Sequence, residues 1–452
     1  MPSDLDRIFK AYDVRGVVPD DLDATLVRDI GAAFAGWSGA PSIVVGRDTR
    51  LSSPELAAAI ADGATGRGVD VIDLGLASTD LLYFASGALD MPGIMLTASH
   101  NPKQYNGLKF CLAGAKPVGE DTGLRDIRAI VEQGPLPSAD TPGTVERRDM
   151  LDAYVAHVLS FVDPGSMEPL TVVADTANGM GGLVVPAVMS RLPVTLHHLY
   201  PELDGTFPNH PADPIDPDNQ KDLKAAVLEH GADIGLAFDG DADRVFLIDE
   251  QAQDVSGSLL TALVAIAMLE REPGAKIVHN LICSWTVPEV IREEGGRPVR
   301  TRVGHSFIKQ VMADTGAVFG GEHSGHYYFR DNYYADSGLI AAVVALGELS
   351  SARVPLSELL APFRRYAASE EINSVVVDQA ERIEAIAAHF RQGRQDRVDG
   401  LTVEFPDWWA NVRASNTEPM LRLNVEARTQ EQLEERTSEL LELIRGGEGD
   451  TT

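Results

Sequence analysis

"SIVVGRDTRLSSPELAAAIADGATGRG", Ser42 to Gly68, decides the fold class. Ser42 to Gly46 reads as a strand. A polar turn follows, and "SPELAAAIADGA" reads as a helix opened by Ser53 and Pro54. The same order of apolar run, small or polar turn and helical pattern returns twice. It recurs in "LTVVADTANGMGGLVVPAVMSRL" (Leu170–Leu192) and in "KIVHNLICSWTVPEVIREEGG" (Lys276–Gly296), where Pro288 opens the helix. Strands alternating with helices argue for parallel α/β layers. Units more than 100 residues apart predict three similar α/β domains rather than one large sheet.

The C-terminal part differs. "MLRLNVEART" sets Leu421, Leu423, Val425 and Ala427 on one face of a period-2 strand. "TQEQLEERTSELLELIR" reads as a terminal amphipathic helix. A smaller α+β domain with an antiparallel sheet is expected there. "NGMGG" (Asn178–Gly182) lacks the G-x-G-x-x-G spacing of a dinucleotide site and reads as a tight strand-to-helix turn.

The chain of 452 residues carries 38 basic and 68 acidic side chains, a net charge of −30. Such a surface repels phosphate backbones and anionic membranes, so neither nucleic acid nor membrane is an expected partner. A phosphorylated small molecule could bind only where the scarce cations, or a metal, converge in one cleft. Two cysteines, Cys111 and Cys283, suit a reducing cytosol. No signal-like start and no membrane-length apolar run is visible, and a soluble cytoplasmic protein is expected.

The sharpest chemical signal is "IGLAFDGDADRVFLID" (Ile234–Asp249). Asp239, Asp241 and Asp243 alternate between two apolar runs. Three carboxylates so close repel one another, and a shared hard cation, Mg²⁺, explains them most simply. Gly240 and Ala242 are small enough for the loop to close on an ion. An EF-hand would need glycine where Arg244 stands, and would need helical flanks. A haloacid-dehalogenase-type site with Asp239 as nucleophile leaves Asp243 and Arg244 without a role.

In "GGEHSGHYYF", Glu322, Ser324 and His326 alternate, a spacing that suits neighbouring sugar hydroxyls better than zinc. "TRVGHSFIK" adds His305 and Lys309 as candidates. "VRASNTEPMLR" offers Arg413, Ser415, Asn416 and Thr417 as a phosphate cradle. "FKAYDVRG" contributes Lys10 and Arg15. "LTASHNP" (Leu96–Pro102) ends an apolar run on Ser99 and His100. A Ser–His hydrolytic pair is not expected there. Neighbours on a turn rarely face each other, and no G-x-S-x-G elbow is present.

In this order, "TASHNP", "DGDADR", "GEHSGH" and "RASNTEP" resemble the α-D-phosphohexomutase family of phosphomannomutases and phosphoglucomutases. "FKAYDVRG", "GRDTR" and "DGTFPNHPADP" extend the resemblance over nearly the whole chain. It implies three similar α/β domains with mixed sheets and a smaller C-terminal α+β domain with an antiparallel sheet, around a central cleft. The expected domains are 1–148 (catalytic serine loop), 149–250 (metal loop), 251–366 (sugar loop) and 367–452 (phosphate loop). The resemblance further implies a phosphoserine at Ser99, and one Mg²⁺ held by Asp239, Asp241, Asp243 and a phosphate oxygen on Ser99. His100 and Lys109 are implied as acid, base or charge-stabilising groups. Arg15 and Arg244 would stabilise the reacting phosphate. Arg413, Ser415, Asn416 and Thr417 would hold the other phosphate, with Glu322, Ser324, His326 and His305 on the substrate.

The implied reaction interconverts mannose 1-phosphate and mannose 6-phosphate through a hexose 1,6-bisphosphate. Glucose phosphates are further candidate substrates, and glucosamine phosphates a within-family alternative. Hexose phosphates are the implied partners, and the chain is expected to be a monomer or weak dimer. His323, where glucose-only members tend to carry glutamate, points to the mannose or dual-specific branch.

Overall fold

The computed structural model describes residues 5–415 and 420–446, without the side chains of His305 and Ser306. Ser42–Arg47 is an inner strand of a mixed seven-stranded sheet. It pairs in parallel with Asp70–Leu76 and Gly93–Leu96. Tyr105–Leu112 then runs antiparallel to Gly93–Leu96 and to the edge strand Val14–Val17. The helix that follows the opening stretch spans Ser53–Gly66, with proline in its first turn. It opens at Ser53, as read from the sequence, and the Ser53 hydroxyl donates to the buried Asp48 Oδ1 at 2.6 Å.

The second sheet has five strands in the order Asp254–Val255, Val245–Asp249, Ile234–Phe238, Leu170–Asp175 and Val194–Leu199. Its last three strands are parallel, and Ile234–Phe238 with Val245–Asp249 forms an antiparallel hairpin. The acid triplet is the turn of that hairpin. The "NGMGG" turn joins Leu170–Asp175 to the helix Gly181–Met189. It packs on the acid loop so closely that a Cβ on Gly179 would lie 2.6 Å from the Gly240 carbonyl oxygen. The third sheet orders Arg297–Thr301, Lys276–Asn280, Phe319–Gly321 and Tyr327–Phe329, parallel except for the last pair.

The C-terminal sheet is antiparallel throughout. Leu421, Leu423, Val425 and Ala427 all enter one core with Leu433, Leu440 and Ile444 of the helix Gln430–Arg445. That core stands apart, whereas the other three domains share a continuous one. Leu82, Tyr154, Val184, Leu260, Phe329 and Ile340 belong to a single buried cluster. Within it, the helix Gly338–Ala352 is apolar and buried on every face from Gly338 to Leu346, as a helix segment enclosed by neighbours must be. Among the described residues no single helix is long and apolar enough to cross a membrane.

In the first domain the helices Ala24–Ser38 and Ser53–Gly66 touch backbone to backbone. A Cβ on Gly63 would lie 2.1 Å from the Arg28 carbonyl oxygen. Gly63→Ala is therefore expected to destabilise the protein by about 1–3 kcal/mol. Thermal unfolding should show a lower midpoint, while the folded variant keeps its site chemistry.

Candidate active site

Ser99 sits on the turn after the strand Gly93–Leu96, with a left-handed backbone at φ 48°. Its Oγ donates to Asp239 Oδ2 at 2.7 Å. The serine and acid loops are thus in direct contact, and the contact allows no side chain at residue 240. A Cβ on Gly240 would lie 2.4 Å from the Ser99 carbonyl oxygen. Ala242, also left-handed at φ 61°, closes the turn.

Asp239, Asp241 and Asp243 are all buried, and each can offer an oxygen within 4.8 Å of the others'. Three cationic or polar groups offset this charge. Arg244 Nε donates to Asp239 Oδ2 at 2.9 Å. Lys109 Nζ bridges Asp241 and Asp243 at 2.7 and 2.6 Å. Thr79 Oγ1 donates to Asp241 Oδ2 at 2.5 Å. Burial, reinforced by the neighbouring carboxylates, pushes the Asp239 pKa well up despite Arg244. Burial also opposes charge on Asp241, but Lys109 outweighs it and holds that carboxyl below its usual range. Asp241 Oδ1 and Asp243 Oδ1 are buried without a hydrogen-bond partner. Such groups need a partner. An all-oxygen donor set with two orphaned carboxylate oxygens fits Mg²⁺.

One expectation is corrected. The side chains of Ser99 and His100 do face each other, with Oγ 3.2 Å from Nδ1. The left-handed turn at Ser99 brings these consecutive side chains to one side. They still do not make a hydrolytic pair. Arg244 donates to the same Nδ1 at 2.7 Å. A guanidinium only donates, so the Nδ1 lone pair is already committed. Desolvation by the surrounding groups and the Arg244 and Arg15 charges hold the His100 pKa far below the ordinary imidazole value, although the residue keeps an exposed face.

Arg15 clamps the serine loop by donating to Asn101 Oδ1, and its own orientation is held by Asp13 Oδ2 at 2.5 Å. Arg50, to which the sequence reading gave no role, is completely buried and holds the same loop from behind. Its guanidinium donates to the carbonyls of Ser99 (2.8 Å), Asn101 (2.6 Å), Pro102 (2.8 Å) and Tyr105 (2.9 Å). Asp48 Oδ2 takes its Nε at 3.1 Å. The available signal was the "GRDTR" turn itself, in a chain where arginine is outnumbered by acid. Thr79 left no signal at all.

The sugar-loop candidates lie on the turn between Phe319–Gly321 and Tyr327–Phe329. Glu322 is buried, accepting from Tyr328 Oη at 2.7 Å, the Gly304 amide at 3.2 Å and Asn280 Nδ2 at 3.3 Å. Ser324 Oγ is 3.2 Å from His326 Nδ1. His326 also comes within ligand range of Asp243 and Asp336, which joins this loop to the acid triplet. Lys309 reaches the same cluster through Asp336. It forms a buried pair with Asp336 at 2.6 Å, over the ring of Tyr83. His305 begins the helix His305–Thr315, and its side chain is not described. Lys10 lines a cavity of about 1270 Å³ between the first and third domains, with Tyr12, Arg302 and Phe307.

In the C-terminal domain Arg413 is buried at the end of the strand Trp408–Ala414. It donates to Asn424 Oδ1 at 2.9 Å and to Glu371 Oε2. Arg422 reaches the other oxygen of Glu371 at 3.3 Å, so one carboxylate bridges two guanidinium groups. The Ser415 amide donates to the Met420 carbonyl at 2.9 Å. Asn416 and Thr417 lie outside the described residues.

Three α/β domains and an antiparallel fourth, with the serine turn of the first in contact with the acid loop of the second, define the architecture of the phosphohexomutases. Comparison with known proteins agrees over almost the entire length. Residues 6–136, 152–253 and 256–366 match the phosphoglucomutase/phosphomannomutase alpha/beta/alpha domains I, II and III. Residues 371–443 match the C-terminal domain. A phosphomannomutase of Salmonella montevideo is 42% identical over 448 residues, covering 96% of this chain and 98% of its own. The phosphohexose mutases of Xanthomonas campestris are 40% identical over 443 residues, covering 97% and 99%. The crystal structure of a phosphoglucomutase/phosphomannomutase family protein from Burkholderia thailandensis superposes with a TM-score of 0.90 at 33% identity, covering 98% of each chain. The chain belongs to the phosphoglucomutase/phosphomannomutase family.

Arg50→Lys keeps the charge but cannot span four carbonyls with a planar fork. Misplacing a reacting group by about 1 Å can cost about 10²-fold in rate. A loss of that order in turnover at unchanged Mg²⁺ affinity is expected, measured by steady-state kinetics beside metal titration.

Proposed function

We propose that this protein is a Mg²⁺-dependent phosphomannomutase that works through a phosphoserine at Ser99. The observation that carries the proposal is the 2.7 Å contact between Ser99 Oγ and Asp239, inside a buried carboxylate triplet bonded to Lys109 and Arg244. Asp239, Asp241 and Asp243, with a phosphate oxygen on Ser99, would hold Mg²⁺, which supplies neutralising charge for phosphoryl transfer. The remaining chemistry belongs to the side chains. Arg15 and Arg244 stabilise the phosphoryl group on the serine. Lys109 is kept protonated by Asp241 and Asp243, despite its burial, and acts as a fixed positive charge.

The hydroxyl of a bound hexose monophosphate attacks phosphorus. The bond to Ser99 Oγ breaks, a bond to the sugar oxygen forms, and a base takes the sugar's proton. The resulting 1,6-bisphosphate turns over and returns its other phosphate to Ser99. His100 is a poor base because Arg244 already occupies Nδ1. Arg413 and Ser415, with Asn416 and Thr417, hold the phosphate that does not react. Glu322 is held rigid by three donors. A carboxylate has room for about four hydrogen bonds, so it can still accept from a sugar hydroxyl.

Recognition of O3 and O4 by Glu322 and Ser324 is blind to C2, where mannose and glucose differ. Activity on glucose phosphates belongs to the same proposal. A phosphatase using Asp239 as nucleophile loses support. Both of its oxygens already accept, from Ser99, from the Arg244 side chain and from the Arg244 amide at 3.2 Å. A cytoplasmic location is part of the reading, supported by two buried cysteines that remain free thiols.

Conversion of mannose 1-phosphate to mannose 6-phosphate, assayed with Mg²⁺ and a trace of bisphosphate, should be readily detected. Ser99→Ala should drop to background and lose the phosphate mass on the Ser99 peptide. A fully active Ser99→Ala variant would overturn the proposal. Stripping the enzyme with EDTA should abolish turnover, and added Mg²⁺ should restore it.

A further inference from the structure

Behind the acid loop, one carboxylate joins three domains. Asp80, in the first turn of the helix Thr79–Leu89, is completely buried. It accepts from three hydroxyls. Ser78 Oγ, from its own domain, donates to Oδ1. Tyr154 Oη, on the second domain's helix Leu151–Leu159, donates to Oδ2. Ser337 Oγ, from the third domain, donates to the same Oδ2 at 2.7 Å. All three partners are as deeply buried as Asp80.

The two serines have a second task. Ser78 caps the helix Thr79–Leu89, accepting from the Leu81 amide at 3.3 Å. Ser337 caps the helix Gly338–Ala352, accepting from the Ile340 amide at 3.1 Å. Each hydroxyl therefore accepts from a helix N-terminus and donates to Asp80. Two helix starts from different domains are fixed on one anion, whose charge suits their positive ends.

Both helix starts touch the acid loop. Thr79, next to Asp80, donates its hydroxyl to Asp241 Oδ2 at 2.5 Å and its amide to the Asp241 carbonyl at 3.0 Å. Gly338, next to Ser337, packs so tightly that a Cβ there would lie 2.6 Å from the carbonyl carbon of Arg244. Displacing Asp80 thus moves both ends of the loop that presents the orphaned oxygens of Asp241 and Asp243.

We propose that Asp80 is a positioning residue for the metal loop: through Ser78, Tyr154 and Ser337 it fixes the helix starts that hold Asp241 and Arg244. The proposal rests on the reading of the acid triplet as a Mg²⁺ site. An apolar environment is a costly place for this carboxylate, and burial pushes its pKa up to about 6 despite the three donors. A hydrophobic side chain would pack there without that penalty, so the hydroxyl contacts are what the acid provides.

The test compares Asp80→Asn with Ser337→Ala and Tyr154→Phe, which keep the charge and remove one donor each. An amide cannot accept three hydroxyl protons through both of its heads, so Asp80→Asn breaks one side of the hub. Mn²⁺ titration of the metal-free protein by calorimetry is the primary readout and needs no turnover. Losing an outer-shell partner typically weakens metal binding about 10–100-fold. Asp80→Asn should fall in that range, with a smaller loss in the two single-donor variants. The KM for mannose 1-phosphate should change less than about two-fold, since none of Asp80's three hydrogen-bond partners lies on the sugar or phosphate loop. Wild-type Mn²⁺ affinity in folded Asp80→Asn overturns the proposal, even if its melting temperature falls. Should Asp80→Asn fail to fold, wild-type affinity in both Ser337→Ala and Tyr154→Phe overturns it equally. Absence of mutase turnover in the wild type, with Mn²⁺ bound and weakened as stated, would count against the proposed reaction and leave Asp80's role standing.

Discussion

Three carboxylates buried within reach of one another are the constraint around which this molecule is arranged. Such a cluster is unfavourable unless cations and donors surround it. The chain has far more acid than base, and the cluster still holds cations of its own. Arg244 comes from the acid loop itself, while Lys109 and Thr79 come from the first domain. The second domain's charge is therefore compensated largely by its neighbour. The two domains need each other electrostatically as well as through their shared core.

The serine turn meets this cluster at van der Waals limits. Gly240 touches the Ser99 carbonyl, and Gly179 touches Gly240 in turn. Three turns from two domains are stacked with no side chain between them. Arg50 completes the stack from the far side by taking the carbonyls that a left-handed turn leaves unpaired. The Ser99 hydroxyl is thus held by its backbone and not only by its own hydrogen bonds, which is the kind of preorganisation that the proposed phosphoryl transfer rewards.

Much of this was legible in the chain. The strand–turn–helix units, the antiparallel C-terminal sheet and the acid hairpin all have local causes: periodicity, small turn residues and helix openings. The candidate loops were legible because each concentrates its chemistry in a few consecutive residues. Arg50, Thr79 and Asp80 were not, because their partners lie up to 257 positions away in sequence. The Ser99–His100 pair was misread for a related reason: the rule for neighbours along the chain was overridden by a left-handed turn that only the folded backbone provides. Lys309 was legible as a candidate from its motif, but its buried partner Asp336 was not.

The bridge that Glu371 makes between Arg413 and Arg422 bears on how the C-terminal loop can meet an anion. Arg413 does not wait with an uncompensated charge. Any phosphate arriving there enters by ion exchange: it must displace the resident carboxylate or share the guanidinium with it. The affinity of the loop is then the difference between two ion pairs, not the strength of one. Such an exchange favours a doubly charged ligand over a singly charged one, because only the former outbids a carboxylate. In the phosphate-holding role proposed for it, a buried arginine so paired would discriminate ligand charge rather than attract anions in general.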